Sequence, residues 1–157
     1  MLLPRFELHR PATVREAVEI AARFGADCDF VAGGTDLLQN YKNRLNPRPH
    51  LVSLAGLGEL RELTPVRVGA LVTLAELEDS AVARRTMGVV ASAASKVASP
   101  LVRQTATVGG NLLVETRCFF FNQSPLWRES KGFCMKADGD VCLVVPQKEK
   151  CYATFSG

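Results

Sequence analysis

The 157-residue chain has only two histidines, His9 and His50, and no run of apolar residues approaching the roughly 20 needed to cross a bilayer. A charged-then-apolar leader is also missing from its first residues, so a cytoplasmic protein without a membrane span is expected. No Gly-Lys-Ser/Thr follows a glycine loop, which excludes a Walker phosphate site, and the Gly-x-Gly-x-x-Gly dinucleotide fingerprint is absent. The histidines are far apart in sequence and no Ser-His-Asp or Cys-His arrangement is readable. Glu76 and Glu78 lie two apart on a helical stretch and do not share a face, so acid–base hydrolysis has little support. Charge of one sign is scarce too: 19 basic against 16 acidic residues, interleaved, disfavour nucleic acid or an anionic membrane as partner.

What is present suits a globular domain, with 47% hydrophobic residues. Thr13-Val14-Arg15-Glu16 is a capping-box pattern, and Val14, Ala17, Val18, Ala21 and Ala22 recur at helical spacing up to Gly25. Cys28 to Ala32 reads as a buried strand that runs into Gly33-Gly34-Thr35-Asp36. Tyr41 to His50, polar and with two prolines, reads as a surface connection. Leu51–Leu54 and Val66–Ala70 read as strands, and Thr73-Leu74-Ala75-Glu76 opens a helix through Asp79. Met87–Val97 reads as a small-residue helix stopped by Ser99-Pro100, after which comes a second glycine loop, Thr107-Val108-Gly109-Gly110-Asn111.

Glycine lets backbone amides nest around an anion, and neighbouring Thr, Asn or Asp side chains add polar groups. Each Gly-Gly pair alone can be a plain tight turn. Two of them with such neighbours suit a diphosphate-bridged cofactor, which needs several anchoring loops.

The character changes after Glu115. Phe119, Phe120, Phe121, Trp127 and Phe133 fall within 15 residues, and Cys118, Cys134, Cys142 and Cys151 are separated by 15, 7 and 8 residues. Only Val141–Val145 reads as a strand there. An odd cysteine total without an export signal argues for thiols or a metal centre over a disulfide framework. The close pairs of structural zinc and of common ferredoxin clusters are missing, so spacing leaves the kind of centre open. A buried thiol is the ordinary reading for any one of these cysteines, and Cys28, in an apolar strand, reads as a core residue.

Ala32-Gly33-Gly34-Thr35-Asp36-Leu37-Leu38 and Thr107-Val108-Gly109-Gly110-Asn111-Leu112 together resemble the paired FAD-binding loops of the molybdenum hydroxylase flavoprotein subunits, the xanthine dehydrogenase and carbon monoxide dehydrogenase family. Val68 to Leu77 and the opening Phe6, Pro11 and Glu16-Ala17 resemble its pattern in the same order. The resemblance implies an α+β fold, the N-terminal part of a two-lobed FAD-binding domain of the PCMH-like type. A first lobe would span 1–54, a partial second lobe 55–117, a loop-rich cysteine insertion 118–151, and a truncated continuation would start at 152–157. Ala32, Gly33, Gly34, Thr35, Asp36 and Leu37 would line one side of FAD, and Thr107, Gly109, Gly110 and Asn111 the other.

The cysteine segment resembles the insertion of the 4-hydroxybenzoyl-CoA reductase branch. This implies a 4Fe–4S cluster on Cys118, Cys134, Cys142 and Cys151. It also implies electron flow from a ferredoxin-like donor through that cluster and FAD toward 2Fe–2S clusters in a small subunit and a molybdenum cofactor in a large one. There 4-hydroxybenzoyl-CoA would be dehydroxylated to benzoyl-CoA, within a dimer of heterotrimers. This chain would hold cofactors and no substrate. Two other readings stay open: the flavin subunit of an ordinary molybdenum hydroxylase passing electrons outward, and a zinc-stabilised interaction module without redox function. Since subunits of this type continue past the insertion, the 157 residues alone are expected to bind FAD weakly and unfold readily.

Overall fold

The computed structural model describes residues 2–153, so residues 154–157 of the expected continuation lie outside the described residues. The described residues divide into two compact units: 5–37 with 48–114, and 2–4, 38–47 and 115–153.

The first unit begins with a β-α-β arrangement. Strand β1 (Glu7–His9), helix α1 (Val14–Phe24) and strand β2 (Cys28–Val31) precede β3 (His50–Ser53), which enters between them. All pairings are parallel, with Glu7 and Cys28 both in register with His50. Parallel strands need a crossover, and α1 supplies it. At its start the Thr13 hydroxyl accepts from the Glu16 amide at 3.1 Å, while the Glu16 carboxylate accepts from Ala12 N–H at 2.7 Å, one residue earlier than a capping box requires. Gly25 ends the helix with φ of 54°, a positive value that favours glycine. The inner face of α1 buries Ala17 against Val52, Leu57 and Leu71.

A second apolar cluster holds the rest of this unit together. The short hairpin β4 (Leu63–Thr64) and β5 (Arg67–Val68) leads to helices α3 (Leu74–Asp79), α4 (Ala81–Thr86) and α5 (Gly88–Ser95). Val72, Leu74, Leu77, Ala83, Ala91 and Ala94 pack there, and the alanines let the short helices approach closely. Helix α5 ends at Ser95, earlier than the expected stop at Ser99-Pro100, which instead starts α6 (Pro100–Arg103): the Ser99 hydroxyl caps Val102 N–H, and proline fits a first helical turn that has no acceptor for its missing N–H.

Thr73 and Glu76 form the full capping box: Glu76 N–H donates to Thr73 Oγ1 at 3.1 Å and Thr73 N–H to Glu76 Oε2 at 2.7 Å. The bond from the Thr73 amide is the main reason the Glu76 carboxyl sits below its ordinary value, with the Thr73 hydroxyl and Arg61 assisting and partial burial opposing. A depressed folded pKa stabilises the fold above the unfolded carboxyl value, and that stabilisation is lost as pH falls through the folded one. Glu76→Ala, which removes the carboxylate that accepts from Thr73 N–H, is therefore expected to cost about 1 kcal/mol at neutral pH, and less under acid conditions once Glu76 is protonated. Melting curves at neutral and acid pH check both statements.

The second unit contains α2 from Leu38 onward (the helix spans Leu37–Lys42), the turn to residue 47, and the cysteine segment with helix α8 (Pro125–Lys131). Helix α7 (Val108–Leu112) precedes it in the first unit. The expected surface connection at Tyr41–His50 is not one at its start, because Tyr41 and Leu45 are fully buried side chains of this unit. Leu45, Phe121, Cys134 and Ala137 form its apolar cluster. Arg128, 5% exposed, donates to the carbonyls of Asn43, Arg44 and Gln123, satisfying loop carbonyls that have no ladder partner. Val141–Val145 is not a strand: the described residues offer it no neighbouring strand, and its backbone turns instead. No helix among the described residues is long and apolar enough to cross a membrane.

Candidate flavin loops and a four-cysteine recess

Both glycine loops lie in the first unit, and the fold presses the stretch around one against the other. A Cβ on Gly33 would sit 1.9 Å from the carbonyl oxygen of Thr105, two residues before the second loop. A Cβ on Gly109 would lie 2.8 Å from Ala70 Cβ and 2.9 Å from Ala70 O. These two glycines are thus required by backbone packed on backbone. An isolated antiparallel bridge between Thr73 and Thr107 keeps the second loop beside the start of α3.

The two loops differ in what they leave available. Through the second, Val108 N–H donates to Val72 O, Gly109 N–H to Ala70 O, Gly110 N–H to Thr107 Oγ1 and Asn111 N–H to Thr107 O, at 2.8–3.1 Å. Its amides are consumed in starting α7, so its face toward a ligand is made by side chains, Asn111 being exposed. Around the first loop, the amides of Gly33, Gly34 and Thr35 make no hydrogen bond among the described residues. Gly34 has φ of 69°, the left-handed conformation in which neighbouring amides can converge on an anion. That is a backbone nest for an anion, and a flavin dinucleotide's diphosphate fits it. Ala32, Asp36 and Leu37 flank the nest, partly buried.

In the second unit, Cys118, Cys134, Cys142 and Cys151 line one recess of about 290 Å³, open mouth included, together with Phe120, Phe121, Leu143 and Lys136. The loop geometry that gathers them is specific. Phe133 and Asp138 take positive φ, Met135 N–H donates to Val141 O, and Ala137 and Gly139 amides donate to Cys134 O. Amides of Val145, Tyr152 and Val144 point at the Cys142 sulfur and, against the opposing effect of burial, hold its thiol below the ordinary value. Hydrogen bonds to sulfur and an apolar shell are levers on a bound cluster. Lys136, paired with Glu115 and 4.7 Å from the Phe121 ring centroid, puts a cation in the wall. Four cysteine sulfurs around an apolar recess are the donor set an iron–sulfur cluster would take. They fit zinc less well: tetrahedral zinc with ~2.3 Å bonds brings its sulfurs to roughly 3.8 Å of one another, and these four sulfurs do not form a group within 4.8 Å. Cys28 stands apart in β2, which is half-buried rather than the fully buried strand expected; partial burial first and Asp29 second raise its thiol above the ordinary value.

Sequence reasoning passed over Thr105 and Ala70 as parts of the loop geometry. It also passed over the pairing of His9 with His50, since nothing in a sequence signals which distant strands become neighbours.

Comparison with known proteins shows which family the chain belongs to. The family described as the FAD binding domain in molybdopterin dehydrogenase matches residues 4–151. The carbon monoxide dehydrogenase medium chain of Hydrogenophaga pseudoflava is 35% identical over 116 residues, 71% of this chain and 40% of the relative. The aldehyde oxidoreductase FAD-binding subunit PaoB of Escherichia coli is 35% identical over an alignment of 158 residues, 95% of this chain and 49% of the relative. Among solved structures, carbon monoxide dehydrogenase from Hydrogenophaga pseudoflava superimposes with a TM-score of 0.69 at 34% identity, covering 71% of this chain and 40% of that one. Quinoline 2-oxidoreductase from Pseudomonas putida 86 gives 0.67 at 29%, with the same coverage. The chain thus spans less than half the length of these relatives. The alignment to the aldehyde oxidoreductase subunit reaches across the cysteine segment, whereas that to the carbon monoxide dehydrogenase chain covers only 71%.

Proposed function

Because the chain belongs to the family of FAD-binding domains of molybdopterin dehydrogenases, we propose that it forms part of the flavin subunit of a molybdenum hydroxylase that passes substrate-derived electrons outward through FAD. The observation that carries this reading is the Gly33–Thr35 nest, three amides without an internal acceptor beside the packed second loop. FAD, when bound, supplies the exchange between two-electron and one-electron carriers. The chain's own residues do the holding. Gly33, Gly34 and Thr35 donate to the diphosphate, Asn111 closes the opposite side, and Thr107 fixes the second loop by capping α7.

The partners of this reading are a large subunit with the molybdenum cofactor and a small 2Fe–2S subunit. The relatives named above are, by their names, dehydrogenases and oxidoreductases, which favours outward flow. Reductive dehydroxylation of 4-hydroxybenzoyl-CoA draws its support from the four-cysteine recess alone. That recess is proposed to hold a 4Fe–4S cluster in either case, because an alignment to an aldehyde oxidoreductase subunit also spans it. A cluster there would add a one-electron station.

The test uses the complex assembled with its molybdenum and 2Fe–2S subunits under anaerobic conditions. An aldehyde or heteroaromatic substrate is expected to bleach the flavin absorbance within turnover time, and an added acceptor to restore it. Flavin that is reduced only by a ferredoxin-like donor and reoxidised only by 4-hydroxybenzoyl-CoA would sink the outward reading.

A further inference from the structure

The three side chains Glu7, His9 and His50 meet on one face of the parallel sheet, in the first unit and outside the flavin loops. Glu7 and His9 are two apart on β1 and so point to the same face, and His50 is in register with Glu7 on β3. His9 Nε2 lies 3.2 Å from His50 Nδ1. The Glu7 carboxylate reaches both rings, at 3.6 Å from His50 Nδ1 and 3.9 Å from His9 Nδ1. One ligand atom from each residue falls within a 4.8 Å group. The ring of Phe24, from the end of α1, stacks on His50 with centroids 3.7 Å apart and on His9 at 5.1 Å. The imidazoles are 17% and 21% exposed, while Glu7 is 66% exposed and keeps the open side.

We propose that Glu7, His9 and His50 form a site for a divalent transition cation, zinc foremost, that ties edge strand β1 to central strand β3. Two zinc–nitrogen bonds of 2.0–2.1 Å at a tetrahedral angle place the nitrogens roughly 3.3 Å apart, and the two ring nitrogens already stand at 3.2 Å. Two imidazoles and a carboxylate suit zinc and its neighbours, and leave a fourth position for water. Without the cation the two nitrogens share one ring proton in a hydrogen bond. With it, both present lone pairs to the metal: the ring that had donated transfers its proton to its other nitrogen, leaving N–H on His9 Nδ1 and His50 Nε2. Phe24 prevents either ring from rotating away. A three-residue edge strand has few bonds of its own, so a cross-strand metal is well placed to stabilise it.

The chain has only these two histidines, so their ring signals are unambiguous in nitrogen-detected NMR. Zinc is added to the metal-free chain past the point at which the thiols are saturated. His9 Nε2 and His50 Nδ1 are expected to take on the metal-bound shift together, along one binding curve. Glu7→Gln, an exposed change that leaves the sheet intact, is expected to weaken that curve at least tenfold, and His50→Gln to abolish the shift of His9. Rings that stay unmoved, or that move independently, would overturn the site. An unchanged curve in Glu7→Gln would overturn its three-ligand form. Since thiol binding leaves the imidazoles unshifted, the result is separate from any metal at the cysteines.

Discussion

Gly33→Ala is expected to abolish flavin retention and to lower the melting temperature by about 10 °C, equivalent to at least 3 kcal/mol in a chain of this size. The added methyl would stand 1.9 Å from the Thr105 carbonyl oxygen and 2.7 Å from its carbon, both backbone atoms that no rotamer change can remove. Overpacking a side chain against side chains typically costs about 1–3 kcal/mol, and here the obstruction is main chain, so the stretch before the second loop must move. Moving it separates the nest from the side chains of the second loop. The matched control is Gly58→Ala, where a Cβ meets nothing within 4 Å. That variant should melt within a degree or two of the parent. Flavin content is read at a temperature at which circular dichroism shows both variants folded. A Gly33→Ala chain that keeps stoichiometric flavin and its parent's melting point would refute the packed-loop account.

The second large effect is expected at Cys142. Anaerobically reconstituted chain should hold about four irons with matching acid-labile sulfide, and Cys142→Ser should reduce both to below about one. Cys142 is buried, and three backbone amides converge on its sulfur. Those bonds favour thiolate, the form that binds metal. A serine hydroxyl in their place keeps its proton at neutral pH and offers a poorer ligand at the deepest corner of the recess. Cys28→Ser serves as control, because Cys28 belongs to the sheet of the other unit and its thiol is pushed up by burial. Its iron content should match the parent. Full iron in Cys142→Ser, or one zinc per chain in the parent, would remove the cluster proposal while leaving the flavin reading untouched.

Local signals were legible wherever they depend on neighbouring residues. Thr73 and Glu76 form the expected box because three-residue spacing alone brings hydroxyl and carboxylate to the exposed amides. Cys28 begins the expected strand. The polar composition of 41–50 concealed the buried Tyr41 and Leu45, and Leu45 packs in a cluster completed by Phe121 and Cys134, some 80 residues later. Val141–Val145 has the composition of a strand, but a strand needs a partner ladder, and none reaches it among the described residues.

The candidate site divides along the same line. Which residues belong together was readable: two glycine loops in a characteristic order, and four cysteines in an aromatic, loop-rich segment. Their chemical availability was not. Gly109 and Gly110 look equivalent to Gly33 and Gly34 in sequence, yet their amides are consumed by Ala70 and Thr107, while those of the first loop remain open. His9 and His50, 41 residues apart, become neighbours only because β3 inserts between β1 and β2. Sequence by itself determined the family and the helix caps, since these are properties of residue type and short spacing. Tertiary structure alone decided which amides, sulfurs and imidazoles face one another, because hydrogen-bond satisfaction and long-range strand pairing depend on what the fold brings into contact.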